Sequence, residues 1–397
     1  MIIIRQSNLL LALYFMILIG YPFCAVASSF FPSLGSYPAY VLRASILLTS
    51  GMLIGAGLLN AKIRQASLWL VFFIIIYSLR LGYDVGSVGP QILGELILFF
   101  VILVVFPVMA VILTDHMSLD QKLLTKLIAM FSTLLIVTLL LMWLSGYAYN
   151  PWEGVVENPS FALKGLNPIS VGYYSVICII SCSILLRDRK ISARLKLIAI
   201  IGIFFGFVML ILANSRGPVA ALIIVLIFMS GKNIFHSVKI WLVYVLMFIL
   251  LTFFTDLLTP IMGRVTATLA GDLDASALER LDYQLAAIEI FLENPLMGGA
   301  AIIPGGNLGA HPHNLLIEIA MSLGLLGLSV FCFCCFIAWG RITNGHYDRN
   351  PLLAGLFIST AVMSMLSGSI ATSGAFFFML AGILSSKKSH SEINHTV

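Results

Sequence analysis

Long apolar runs recur from one end of the chain to the other, and nothing else in the sequence constrains the fold as much. Twelve can be read, at 8–27, 39–59, 66–81, 92–113, 123–145, 169–186, 195–213, 218–230, 239–258, 314–338, 352–366 and 370–385. A helix needs about 20 residues to cross the hydrocarbon of a bilayer. Inside lipid every backbone polar group must be satisfied within its own element, which favours unbroken helices. The runs 218–230 and 352–366 are short for a crossing. They are retained because dropping either alone spoils the charge pattern described next. Composition agrees with the runs, since 60% of the 397 residues are apolar and only 10% are charged. Soluble domains carry about 25% charged residues. A disordered chain, a coiled coil and a small disulfide scaffold are excluded. The expectation is an all-α polytopic membrane protein with about twelve transmembrane helices.

Placement of the charges orients the spans. With the N-terminus inside, 16 of the 22 Lys and Arg residues fall on the inner side, among them Arg5, Lys122, Arg187, Arg341 and Lys388. That bias sets orientation, and it predicts both termini in the cytoplasm. The six exceptions are Arg43, Arg80, Lys164, Arg216, Arg264 and Arg280. Each opposes the insertion bias, so each invites the question of what retains it. Lys164, Arg216 and Arg280 lie in loops with motif-like sequence. Arg43, Arg80 and Arg264 read equally well as ordinary outer residues. The first run, with Arg5 before it and Ala25-Val26-Ala27-Ser28 after it, has the pattern of a signal peptide with a cleavage site. Cleaved or not, the chain after Ser28 starts outside. The six cysteines lie within apolar runs and read as small buried hydrophobes.

Two outside loops are large enough to hold a site, 146–168 and 259–312. The first is rich in Pro, Gly and Asn and carries Tyr147, Tyr149 and Trp152. In the second, Ser276 precedes Glu279 by three residues, a capping box. Leu278, Leu281, Leu285, Ile288 and Leu292 follow at helical spacing, and Asn294-Pro295 ends the pattern. This predicts an amphipathic helix on the outer membrane surface or packed across the bundle. Arg280 in its first turn opposes the helix dipole, which points weakly to an anionic partner. Five glycines follow between 298 and 309 without the lysine of a P-loop, and the stretch closes on His311-Pro312-His313-Asn314.

Of the seven histidines, only His311 and His313 face outward. Imidazole exchanges protons near neutral pH, so His313 is a candidate base, although a lone histidine is more often structural. Two histidines without a nearby acid or thiol make a weak metal site, and no metal or cofactor is expected. In the turn Asn214-Ser215-Arg216-Gly217-Pro218, Pro and Gly explain the bend but not the arginine. Arg216 reads either as a residue that snorkels to headgroups or as a clamp for phosphate oxygens. Two acids fall within spans. Glu95 lies early in its run, and Glu318 follows Asn314 by four residues, on nearly the same helix face. Glu318 reads as a support for the His-Asn pair or as a neutralised packing residue. Outward arginines beside one imidazole suit transfer chemistry on a lipid-linked diphosphate. Nothing points to nucleic acid.

These segments resemble the bacterial O-antigen ligase and O-antigen polymerase family (WaaL-like and Wzy-like membrane proteins). The carrying residues are NSRGP at 214–218, SALERLDYQLAAIEIFLENPLMGGA at 276–300 and HPHNLLIEIAMSLGLLGL at 311–328, with LNP at 166–168 as a weaker element. Each is degenerate alone, and their order and shared outside location give the set its specificity. The resemblance implies a GT-C-like, inverting, metal-independent glycosyltransferase in the bacterial inner membrane, with its active site on the periplasmic face. It divides the chain into N-terminal spans and loop at 1–168 and an O-antigen ligase/polymerase-type domain at 169–397. The implied donor is a glycan on undecaprenyl pyrophosphate. The implied acceptor is a second lipid-linked repeat unit for a polymerase or lipid A-core for a ligase, and a chain-length regulator is a further implied partner. The family's essential arginines fall on Arg216 and Arg280, its essential histidine on His313 and its following acid on Glu318. Lys164, Arg264, His311 and Asn314 join Glu318 as candidate substrate contacts. The PHNLLIEI pattern tips the reading toward a polymerase. A twelve-span transporter is the competing class. It fits the span count but not the short inner loop at 187–194, the long outer loop or the absence of visible internal repeats.

Overall fold

Eleven of the twelve apolar runs are helices, with ends close to those expected, in a computed structural model that describes residues 5–58, 63–88, 90–114, 119–147, 162, 166–188, 190–230, 275–304, 311–346 and 351–386. The remaining run, 239–258, lies outside the described residues. The helices are α1 (Gln6–Phe30), α2 (Tyr37–Leu58), α3 (Gln65–Val88), α4 (Gly94–Leu113), α5 (Gln121–Leu144), α6 (Pro168–Arg187), α7 (Ala193–Leu212), α8 (Arg216–Ser230), α9 (Ala275–Glu293), α10 (Leu315–Arg341), α11 (Pro351–Ser367) and α12 (Gly374–Ser385). Among the described residues, eight are long and apolar enough to cross a membrane, and α8, α11 and α12 are apolar but shorter.

Local sequence explains the boundaries. Asp120 caps α5 by accepting from the amides of Lys122 and Leu123 at 2.9 and 3.0 Å. Asn167 caps α6 through Ser170 at 2.8 Å, with Pro168 in the first helical position, where its missing N–H is harmless. α1 and α4 each widen into a π-helical turn, Met16–Gly20 and Val101–Val105, just ahead of Pro22 and Pro107. A proline removes one donor and crowds the carbonyl a turn back, and the widened turn relieves both.

The core centres on α12. Phe376, Phe377 and Phe378 are all buried. Phe378 meets Tyr14 of α1 edge-on at 4.6 Å, Phe377 stacks with Phe73 of α3 at 5.8 Å, and Phe376 lies 5.9 Å from Phe331 of α10. Twelve residues rise only about 18 Å. That is short of the bilayer core, but protein surrounds the helix on all sides, so its ends need no contact with lipid.

Contacts between helix ends sort the bundle into two poles. A side chain at Gly172 would meet Pro218 at 2.6 Å, so the N-termini of α6 and α8 lie together. Gly217 faces Met363 and Leu366, at the C-terminus of α11, at 3.8 Å. Glu318 near the start of α10 accepts a bond from Ile370 in the turn after α11. At the opposite pole, Arg187 donates to the carbonyl of Met229 at 3.3 Å and Arg341 to that of Ile383 at 2.8 Å, and Lys122 meets Asp188 at 3.9 Å. The arginines cap the carbonyls left at helix C-termini. All three basic residues are among those expected inside.

Two expectations change here. Cys332 is exposed on the outer surface of α10, whereas Cys178, Cys182 and Cys334 are buried as expected. Glu95, one of the two acids within spans, is exposed and not enclosed by the bundle. Arg43 lies over the ring of Phe99 at 4.6 Å, so a cation–π contact helps hold this outer arginine.

Candidate active site

The segment 311–314 is built around an unusual backbone. Asn314 is extended and caps α10, its Oδ1 accepting from Leu316 and Ile317 at 3.0 and 3.2 Å. The residue before it, His313, has φ +51°. A β-carbon is disfavoured in that left-handed region, although histidine tolerates it better than most residues. Among the described residues, the only non-glycine positions with positive φ are His313 and Asn214 (φ +46°). They fall in two turns whose motifs the sequence singles out.

This backbone places the His313 ring 4.1 Å from that of His311 and 6.4 Å from that of Tyr283 on α9. Its Nδ1 is buried and makes no hydrogen bond among the described residues. Burial, and secondly the charge of Arg280, hold the imidazole below its ordinary pKa. Both disfavour the imidazolium form. Arg280 is half-buried and projects from α9 within electrostatic reach of His313.

α9 is two-faced, and its buried face is not the leucine row. Ala287 is buried, and with Tyr283, Ala286 and Ile290 it packs on Ile317 and Met321 of α10 and on Ile303. Small residues let the two helices approach closely. The row Leu278, Leu281, Leu285, Ile288 and Leu292 points outward, with Leu285 51% and Leu292 66% exposed. The helix starts at Ala275, ahead of Ser276, so the serine lies inside the helix and Arg280 falls in its second turn. That reduces the dipole penalty expected for the arginine. Between α9 and α10 runs an apolar groove of 320 Å³, with Ile288, Phe291, Leu292, Leu316, Ile317 and Leu328 among its walls.

The end of α9 is fixed by a break in α10. Gly324 has φ +63° and ψ −161°, a conformation that interrupts the helix. The freed backbone groups pair with the loop after α9. Gly299 N donates to Met321 O at 2.8 Å, and Leu325 N donates to Pro295 O at 2.8 Å. A broken helix at this depth is tolerable because protein backbone replaces the lost partners. Both chains must come very close. A β-carbon on Gly298 would lie 2.4 Å from the Ser322 carbonyl carbon, and one on Gly324 2.4 Å from that of Leu296.

α3 holds the same loop from its other side. Arg80 is ion-paired with Asp84 at 3.0 Å and donates to the carbonyls of Gly298 (3.2 Å) and Gly299. Asp84 Oδ2 also accepts from Ala301 N at 2.7 Å. From the sequence Arg80 read equally well as an ordinary outer arginine or as one held by a partner. The signal available was Asp84 four residues on, which puts the two charges on one helix face.

The structure therefore groups His311, His313, Asn314 and Arg280 around the start of α10. Glu318 is buried one turn below, and both carboxylate oxygens accept from Ile370 N at 3.1 Å, so its described partner is the turn at 368–373. Arg216 opens α8 at the same pole, beside the end of α11. Lys164 and Arg264 lie outside the described residues.

Residues 201–332 match the Wzy_C family model, described as O-antigen ligase. The matched stretch contains the Arg216 turn, α9, the His313 segment and the break in α10. A search of the curated proteins finds no significant match.

Proposed function

We propose, from the match of residues 201–332 to the O-antigen ligase model, that the chain is a multi-pass membrane enzyme of the O-antigen ligase and polymerase type, an inverting glycosyltransferase that extends surface polysaccharide as a polymerase. The donor is a glycan on undecaprenyl pyrophosphate, and the acceptor is a hydroxyl of a second lipid-linked unit. Twelve spans with both termini in the cytoplasm put His313 and both arginines on the periplasmic face of the inner membrane. The catalytic groups belong to 169–397. The observation that carries the reading is His313 itself: a half-buried imidazole at positive φ, with a buried Nδ1 that makes no bond among the described residues and Arg280 within electrostatic reach. Strained residues of this kind cluster at functional sites.

The chemistry follows from the charges. As the C1–O bond to the diphosphate breaks, negative charge grows on the leaving oxygens, where Arg216 and Arg280 stabilise it. The acceptor oxygen attacks C1 from the opposite face, and His313 takes its proton. Burial, and secondly the field of Arg280, keep the imidazole neutral, hence a base, while the site is empty. An arriving diphosphate offsets that field and returns basicity to His313 when the donor is in place. No metal is called for, because the arginines supply the positive charge. The apolar groove between α9 and α10 gives a lipid tail hydrocarbon walls next to the diphosphate site.

His313→Ala and Arg280→Ala variants that reach wild-type abundance in the membrane should abolish polymer. Near-normal polysaccharide from His313→Ala would defeat the assignment. The ligase reading shares this machinery and differs in acceptor. Deleting a polymerase leaves lipid A-core with a single repeat unit, whereas deleting a ligase leaves bare core and accumulated lipid-linked polymer.

A further inference from the structure

We infer that Arg80 and Asp84 of α3 are positioning residues for the transfer reaction: they clamp the loop after α9 into the break of α10 and thereby set the distance between Arg280 and His313. The inference rests on the proposed function for its effect on rate, but not for its effect on geometry.

Arg280 belongs to α9, and α9 continues through Asn294 into the loop 295–301. Four backbone bonds seat that loop on α10: Gly299 and Ala300 donate to Met321 O at 2.8 and 3.4 Å, and Leu325 and Leu326 donate to Pro295 O and Leu296 O at 2.8 and 3.3 Å. His313 stands at the head of α10, so the loop sets how α9 lies along the helix that carries the imidazole. The loop's outer carbonyls, at Gly298 and Gly299, and its amide at Ala301 point away from α10 and toward α3. Three backbone groups are thus met by one guanidinium and one carboxylate. The side chains of Arg80 and Asp84 are only 14% and 4% exposed. Such a pair is a costly way to hold a loop that only needs burial, since desolvating two charges offsets much of their attraction. A fork with fixed geometry fits a different need, that of holding a loop in one place.

Among the described residues, the groups facing His313 are Arg280 and Tyr283 from α9 and His311 on its own segment; Glu279 is bonded to Tyr283 at 3.3 Å, and Glu318 on α10 points to the Ile370 amide. Arg280 is the cation among them whose position the clamp controls. If the clamp loosens, Arg280 draws back and His313 regains the part of its basicity that the Arg280 charge removes, while the part removed by burial stays.

The test uses the full chain in membranes with Arg80→Lys, which keeps the charge but loses the fork, and Asp84→Asn, which keeps an acceptor for Ala301 but loses the ion pair. The expected results for Arg80→Lys are a fall of about ten- to a hundredfold in kcat/KM and an acid limb of the pH–rate profile displaced to higher pH. Asp84→Asn should move both in the same direction by less. A second readout needs no activity. In a Tyr283→Cys/His313→Cys background, crosslinking by a short bis-maleimide applied from outside should fall at least threefold when Arg80→Lys is added. An unchanged crosslink, or an acid limb that does not move, overturns the inference. So does failure of both variants to accumulate, which makes the pair a folding element only. If the crosslink falls while the wild-type protein transfers no glycan, the clamp stands and the proposed function fails.

Discussion

Gly324→Ala tests the break in α10 and the loop docked on it. At φ +63° and ψ −161° the native backbone occupies a region almost confined to glycine. Holding alanine there costs about 1–3 kcal/mol. The added β-carbon would also lie 2.4 Å from the Leu296 carbonyl carbon and 2.6 Å from Met297 N. These are backbone atoms, and no side-chain rotation relieves the overlap. The loop has to leave, and with it go the bonds from Leu325 N to Pro295 O and from Leu326 N to Leu296 O. At about 1 kcal/mol per bond, the total becomes about 3–5 kcal/mol. Native-state hydrogen exchange in nanodiscs reads this locally. Protection of the amides of Gly299, Leu325 and Leu326 should drop by about 10²–10⁴, at about 1.4 kcal/mol per tenfold. Gly340→Ala is the matched control. It lies in the same helix, has nothing within 4 Å of its would-be β-carbon, and is not among the positive-φ glycines. Alanine there should be neutral or stabilise by up to about 1 kcal/mol. Equal protection in the two variants would refute the reasoning.

Further outcomes follow from the same geometry. Activity should fall as pH drops through the lowered pKa of His313, because the neutral imidazole is the working base. The acid limb of kcat/KM therefore lies below the ordinary histidine value of about 6.5, and a limb above it would contradict the burial and the Arg280 field. Arg216→Ala in protein of normal abundance should lower turnover by about 10²–10³, read as polymer formed per enzyme in membranes. Asn314→Ala removes an acceptor shared by two amides and should cost about 0.5–2 kcal/mol in thermal stability, whereas Asn314→Asp should not. Glu318→Gln retains an acceptor for the Ile370 amide and should keep transfer within threefold of wild type, but Glu318→Ala leaves that amide buried and unpaired and should destabilise by about 1–3 kcal/mol.

What the sequence made legible depended on the range of the force involved. Helix position follows from runs of apolar side chains, a local property, and the described spans begin and end close to where the runs do. The Asn167-Pro168 cap and the Asn294-Pro295 stop are local too, and both are seen. The periodicity of α9 left two placements open because it marks a helix as two-sided without saying what stands on each side. In water a leucine row turns inward. Beside a bilayer it can turn outward, and the alanine face, Ala286 and Ala287, makes the protein contact instead. His313 was legible through its motif, but its left-handed backbone was not, since glycine is the residue that announces such a position. The clamp was illegible for a different reason. Arg80 and Asp84 lie more than 200 positions from the loop they hold. Their only local trace is an acid and a base one helical turn apart near the end of a span, a pattern that serves equally as a surface ion pair. An intramembrane charge pair belongs with the site when the backbone it grips leads directly to a catalytic side chain, and that connection exists only in three dimensions.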